Sequence, residues 1–112
     1  MKIFGWVIAA LVSLAVADGS SELWRGPHVT ADRARREVRI EARATGITGG
    51  TLCEFFLIAT NSGHDYEAIA VSLARPSDVH QVLEFIGMPV GRPVDPKALR
   101  FWPRGERVVA EF

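Results

Sequence analysis

The stretch that decides the fold is Arg75–Gly87, with the sequence RPSDVHQVLEFIG. Ser77 is suited to cap a helix, and Asp78 falls in its first turn, where the helix dipole favours a negative charge. Gly87 is well placed to end the helix. The apolar residues recur at the spacing of one helical face: Val79, Val82, Leu83 and Ile86. This pattern predicts a helix that packs its apolar face on a sheet.

Alternating apolar and charged residues earlier in the chain predict a half-buried strand. Val38, Ile40 and Ala42 fall on one face of this strand, and charged residues fall on the other. Asp32–Arg35 is predicted as a turn that leads back to a short strand at Val29–Ala31. The opening unit of the domain is therefore expected to be a hairpin.

Two apolar runs, Leu52–Thr60 and Tyr66–Leu73, are separated by the polar sequence Asn61–Asp65. This loop composition predicts a second, antiparallel hairpin, in which Thr60 pairs with Tyr66. The apolar density of both runs predicts a central position in the sheet.

The carboxyl-terminal part begins with an irregular crossing, residues 88–98, that is rich in proline and glycine. Arg107–Phe112 then alternates again and is predicted as the last strand. The expected fold class is α+β, with an antiparallel sheet of about four to five strands and one helix packed on a face. With 112 residues the chain has room for one core.

The amino-terminal residues 1–17 have the layout of a cleavable signal peptide and predict a signal-peptide helix before the domain. Lys2 gives a positive start, Ile3–Ala17 is uncharged, and Ala15-Val16-Ala17 places cleavage before Asp18. The apolar run is short for a membrane span, which needs about 20 residues. The protein is therefore predicted to be exported, to the periplasm or the extracellular space. A retained anchor or a buried helix is the alternative.

Residues 18–27 are predicted as a linker, with Trp24 docking on a domain that spans residues 28–112. The chain has 13 basic and 13 acidic residues, without a basic excess on one face, which argues against nucleic acid as a partner. Contact with a membrane is expected only through the signal segment. The single cysteine, Cys53, excludes an internal disulfide. It is predicted to be a buried apolar side chain, with an intermolecular bridge or a reactive thiol as alternatives.

Four stretches between Val29 and Phe112 resemble the YdjY-like domain, a family of small exported or lipoprotein-associated bacterial domains of unassigned function. The stretches are Val29–Asp32 with Val38–Ile40, Glu54–Ile58, Tyr66–Ile69, and Arg75–His80 leading to Ile86-Gly87. Tyr66 stands where the family usually has histidine, and His64 lies two positions earlier. Such domains typically continue beyond the last strand seen here, so the resemblance implies a shortened member or a fragment.

Glu67 is the first candidate for a functional residue, because the predicted hairpin puts its carboxylate at the margin of an apolar face. A buried carboxylate in a cleft is a site candidate, whereas a glutamate at a strand end that reaches water is the alternative. His64, Asp65 and Glu67 could together hold a divalent metal, completed by His80 or His28, but their spacing is irregular. A polar turn exposed to solvent is the alternative.

Three further sets of residues have simpler explanations. Cys53 would lie more than about 20 Å from the turn that carries His64 in the predicted hairpin, too far for a nucleophile and its base. Trp102 and Phe101 would line a groove or, as predicted here, cover the edge of the core. His80 and Glu84 form a surface pair.

The sequence predicts an exported accessory or binding module of unassigned biochemical role, without a cofactor, whose partner is an envelope protein or a small ligand. The alternative is a small hydrolase-like or metal-dependent enzyme centred on Glu67 and His64. A third possibility is a structural piece of an envelope assembly. A binding module should present an apolar groove or an open strand edge, whereas an enzyme should gather polar groups in a pocket.

Overall fold

The computed structural model describes residues 1–5 and 21–112. In chain order the elements are β1 Lys2–Gly5, β2 Leu23–Gly26, β3 Val29–Asp32, β4 Glu37–Ile40, β5 Ala42–Ala44, β6 Phe55–Ala59, β7 Ala68–Ser72, α1 Pro76–Phe85 and β8 Val108–Glu111. Short 3-10 turns lie at Asp65–Glu67 and Pro96–Ala98. The α+β class, the five-stranded antiparallel sheet and the single helix of the described residues confirm the expected fold class. The one continuous sheet that the sequence predicts is wrong, because β5, β6 and β7 form a second, separate sheet.

The larger sheet has five strands in the order β2-β3-β4-β1-β8, and every neighbouring pair is antiparallel. The predicted opening hairpin is confirmed, since β3 pairs with β4 and Ala31 lies opposite Val38. Val38 and Ile40 are buried, as their alternation predicts. β2 falls within the segment predicted as a linker, and its Trp24 packs against the core.

Helix α1 covers the inner face of this sheet. Val82 and Ile86 are buried among Val29, Val38 and other strand residues, while Val79 and Leu83 are partly buried beside them. The helix begins at Pro76, one residue before the predicted cap, because proline is pre-organised for the first helical position. Gly87 follows the helix at a φ of +76°, a left-handed conformation that suits glycine.

The β3–β4 turn holds the carboxyl-terminal end of α1. The Nε of Arg33 donates to the carbonyl oxygen of Phe85 at 2.8 Å, and the Arg33 guanidinium lies 4.2 Å from the centre of the Phe85 ring. Arg36 forms an ion pair with Glu106 at 2.8 Å. Positive charge at a helix carboxyl terminus is favourable, so this turn stabilises both the helix end and the segment that follows it.

The smaller sheet has the order β5-β7-β6, and here the predicted hairpin is wrong. β6 and β7 are parallel, with Leu57 opposite Ala70, and β6 lies at an edge. Thr60 accordingly lies beside Ser72 and donates a hydrogen bond of 2.6 Å to its carbonyl oxygen, instead of pairing with Tyr66. The connection between the strands is longer than a hairpin loop and returns the chain to the start of β6.

Strand β1 occupies an inner position between β4 and β8. Ile3 lies opposite Val38 on one side and Ala110 on the other. Lys2–Gly5 is thus a strand where the sequence predicts the start of a signal-peptide helix, and the rest of that predicted helix lies outside the described residues. The described residues contain no helix with the length and apolarity needed to cross a bilayer.

Residues 88–107, which we call the arm, connect α1 to β8. Within the arm, Arg92 pairs with Arg104 and Asp95 with Arg100 as isolated antiparallel bridges, so the chain runs out and returns. The predicted last strand is confirmed as β8, which lies at the free edge of the larger sheet and is exposed along its length.

Candidate functional site

His64 and Glu67 form the polar pair closest to the predicted site. The Nδ1 of His64 lies 2.5 Å from Oε1 of Glu67, and the Glu67 side chain is only 15% exposed. A carboxylate only accepts hydrogen bonds, so Nδ1 of His64 is the donor in this pair. The His64 ring also packs edge-on against Phe55, with 5.7 Å between ring centres.

Tyr66 belongs to the same group of side chains, which the sequence did not indicate. Its ring centre lies 5.9 Å from that of His64. The negative charge of Glu67 holds the pKa of the exposed Tyr66 phenol above its ordinary value of 10.0, with smaller contributions from desolvation and from Glu54. Two carboxylates therefore act on this phenol.

The three residues suggested for a metal site do not come together. Asp65 forms an ion pair with Arg43 of β5 at 3.4 Å, whereas His64 bonds to Glu67. His28 is paired with Glu41 instead. In the described part of the chain, no three His, Cys, Asp or Glu side chains are grouped so that they could hold a metal ion.

Cys53 is exposed, so its prediction as a buried side chain is wrong. The reason is that β6 begins only at Phe55, which leaves Cys53 in the loop before it. The predicted separation of Cys53 from His64 assumed the antiparallel hairpin, which is wrong. His64 instead contacts Phe55, which lies two residues after Cys53. The Cys53 thiol is instead within hydrogen-bond distance of the Phe55 carbonyl oxygen, at 3.3 Å.

An apolar groove lies between β6 and α1. Its volume is about 330 Å³, and most of its lining is aliphatic: Leu57, Ile58, Ala59, Ala74, Val79 and Leu83. The only ionisable side chain in the lining is His80, which shares the helix surface with Glu84 at 3.8 Å. We call this feature the β6–α1 groove.

The outer edge of β6 runs beside this groove. β6 pairs with β7 on one side, and among the described residues no strand pairs with it on the other. An unpaired edge presents backbone N–H and C=O groups in the repeat that an added strand needs. Hydrogen-bonding groups and apolar lining thus lie next to each other along the same strand.

A larger cavity of about 410 Å³ lies where β1 begins, but its character is different. Charged side chains of both signs line it, among them Lys2, Arg39 and Glu111. The Nδ1 of His28, also in the lining, lies 2.6 Å from the carboxylate of Glu41. The lining of this cavity therefore mixes apolar side chains, such as Ile40 and Phe112, with charged side chains of both signs.

Trp102 and Phe101 neither cover the core nor line the groove. Trp102 is 80% exposed and Phe101 is 60% exposed, so the predicted coverage is wrong. Both lie in the returning half of the arm, between Arg100 and Arg104.

Comparison of the chain with protein-family models, with curated proteins and with solved structures gives no significant match. The resemblance to the YdjY-like domain stays a prediction from the four stretches quoted above.

Proposed function

We propose that the protein is an exported binding module that takes an extended, apolar segment of an envelope partner along the free edge of β6. The observation that carries this proposal is the apolar β6–α1 groove beside an unpaired strand edge. In this mode of recognition the main chain of the added strand supplies hydrogen bonds, and alternate side chains enter the groove.

The lining of the groove supports an uncharged, apolar ligand segment. A charged side chain placed between Leu57 and Leu83 would lose water without gaining a partner of opposite charge. Export is supported by the charge and small-residue pattern of residues 1–17 and by the resemblance to exported domains. A partner in the cell envelope follows from these two arguments together.

The test uses the full chain and a synthetic peptide of alternating valine and threonine, blocked at both ends. We expect amide chemical-shift changes confined to β6, β7 and α1 when the peptide is added. The matched control is the same peptide with alternate backbone nitrogens methylated, which removes its donors and should abolish binding. Equal binding of both peptides, or shifts elsewhere in the protein, would contradict the proposal.

A second candidate function, a small hydrolase-like enzyme centred on Glu67 and His64, is favoured by one observation. The hydrogen bond to Glu67 fixes the His64 tautomer and leaves Nε2 free to act as a base. The substitution Glu67→Gln separates the two functions, with hydrolysis of a chromogenic ester as the probe. If the protein is a binding module, Glu67→Gln should bind the peptide and hydrolyse the ester as the unsubstituted protein does. A large loss of ester hydrolysis in Glu67→Gln would favour the enzyme.

A further inference from the structure

The arm has the most exposed large apolar side chains of the described residues. Val90 is 85% exposed, Trp102 is 80% exposed and Leu99 is 79% exposed. Soluble proteins rarely place several such side chains close together in one segment without a partner. The arm therefore presents apolar surface that the rest of the described chain does not cover.

Contacts within the arm and at its base hold its backbone in this conformation. Asp95 accepts hydrogen bonds from the backbone N–H groups of Lys97 and Ala98 and so caps the 3-10 turn at the tip. Leu99 follows in a left-handed conformation with a φ of 54°. Arg36 anchors the base of the arm through Glu106.

The arm also carries a net positive charge. It contains five basic and two acidic residues, whereas the whole chain has equal numbers of each. The basic residues of the arm are Arg92, Lys97, Arg100, Arg104 and Arg107, and the acidic ones are Asp95 and Glu106. The remaining residues must therefore carry an excess of negative charge. A positive segment with exposed Trp and Leu side chains has the composition of an interfacial membrane anchor.

We propose that the arm binds the surface of an anionic lipid bilayer. Trp102 and Leu99 enter the boundary between head groups and acyl chains, and the arginines meet the lipid phosphates. Aliphatic Val90 and Leu99 favour a bilayer over nucleic acid, since stacking on bases would use only the aromatic residues. The contact lies apart from the β6–α1 groove and extends the predicted membrane contact beyond the signal segment.

The experiment follows Trp102 alone in the full chain. Replacing the other two tryptophans, Trp6→Phe and Trp24→Phe, leaves Trp102 as the only indole. Vesicles of equal parts phosphatidylglycerol and phosphatidylcholine, with brominated acyl chains, should quench its fluorescence, and added salt should reduce the quenching. Vesicles of phosphatidylcholine alone control for insertion of the apolar amino-terminal segment, and they should quench Trp102 several-fold less.

A pair of matched variants tests the apolar contribution. Leu99→Asn should weaken vesicle binding about tenfold, because it removes a large apolar side chain from the contact. Asparagine is tolerated at positive φ, so the tip should keep its conformation. Leu52→Asn removes an equally exposed leucine outside the arm and should change nothing.

Three results would overturn the proposal. Trp102 could remain fully open to an aqueous quencher in the presence of anionic vesicles. It could become protected without lipid as the protein dimerises in sedimentation velocity, which would make a second copy the partner. It could respond to duplex DNA and not to vesicles, which would make nucleic acid the partner.

Discussion

The two sheets of the molecule differ in what covers them. In the larger sheet, β3 and β4 face the apolar stripe of α1, and Val29, Val38 and Val82 are almost completely buried. In the smaller sheet the buried cluster has three members, and the edge strand leaves Phe55 and Phe56 each 39% exposed. A sheet therefore acquires a full core here only where the amphipathic helix lies on it.

This difference assigns separate roles to the two sheets. The larger sheet, with its helix, supplies most of the stability of the domain, because the larger of the two buried apolar clusters lies between them. The smaller sheet has an open edge and a partly filled groove, which are the features that binding by strand addition requires. The predictions below test this division.

The largest expected effect is on the helix that covers the larger sheet. Ile86→Ala should lower the free energy of unfolding by about 3 kcal/mol, because it leaves a cavity among fully buried side chains. Urea denaturation followed by circular dichroism measures this change. Val90→Ala, in the exposed arm, is the control and should cost less than about 0.5 kcal/mol.

The smaller sheet should tolerate the same kind of substitution better. Ile58→Ala should cost about 2 kcal/mol, at the lower end of the range for buried isoleucine, because Ile58 has few buried neighbours. The measurement is again urea denaturation. A cost equal to or above that of Ile86→Ala would remove the distinction between the two sheets.

The ion pair between Arg36 and Glu106 should contribute about 1 kcal/mol to stability, because both side chains are largely buried. A double-mutant cycle with Arg36→Ala and Glu106→Ala measures their coupling. The more exposed pair Arg35–Asp32, on the same turn, is the control and should show almost none. No coupling at Arg36 would mean that the arm is not anchored to the larger sheet.

The smallest effect concerns Tyr66, beside the smaller sheet. Glu67→Gln should lower the pKa of Tyr66 towards its ordinary value of 10.0, because it removes the nearby negative charge. Tyr66 is the only tyrosine of the chain, so ultraviolet absorbance of tyrosinate reports its titration directly.

The same raised pKa of Tyr66 predicts how stability changes with pH. The folded state holds the phenol proton more tightly than the unfolded state, so the contribution of Tyr66 to stability is complete below pH 10.0. It is lost as the pH rises through the pKa of the folded protein. In Glu67→Gln this alkaline loss should become smaller, and an unchanged loss would mean that Glu67 does not act on Tyr66.

The sequence predicted the parts of the fold that depend on local patterns. Val38 and Ile40 alternate with charged residues, and Val82 and Ile86 recur at helical spacing, so each element itself indicates which face is buried. The parallel pairing of β6 with β7 depends instead on the path of residues 60–67, which the loop composition does not specify. That one error led to the wrong partner for Thr60.

The candidate site was also predicted only where it depends on residues close together in the sequence. The sequence named His64 and Glu67, which are close along the chain and do bond to each other. It missed the groove and the open edge of β6, because both arise from the parallel pairing and from the position of α1. Exposure of Cys53 depended on where β6 begins, and apolar neighbours in the sequence could not reveal that boundary.

The inner position of β1 gives the predicted signal cleavage a consequence for the larger sheet. Cleavage after Ala17 would remove β1 together with the signal, and β4 and β8 would lose the neighbour they share. Both strands run antiparallel to β1, so they run parallel to each other and cannot re-form the same ladder by closing the gap. The precursor and its processed product would then differ in strand order, and proteolysis would act as a step of folding as well as of sorting.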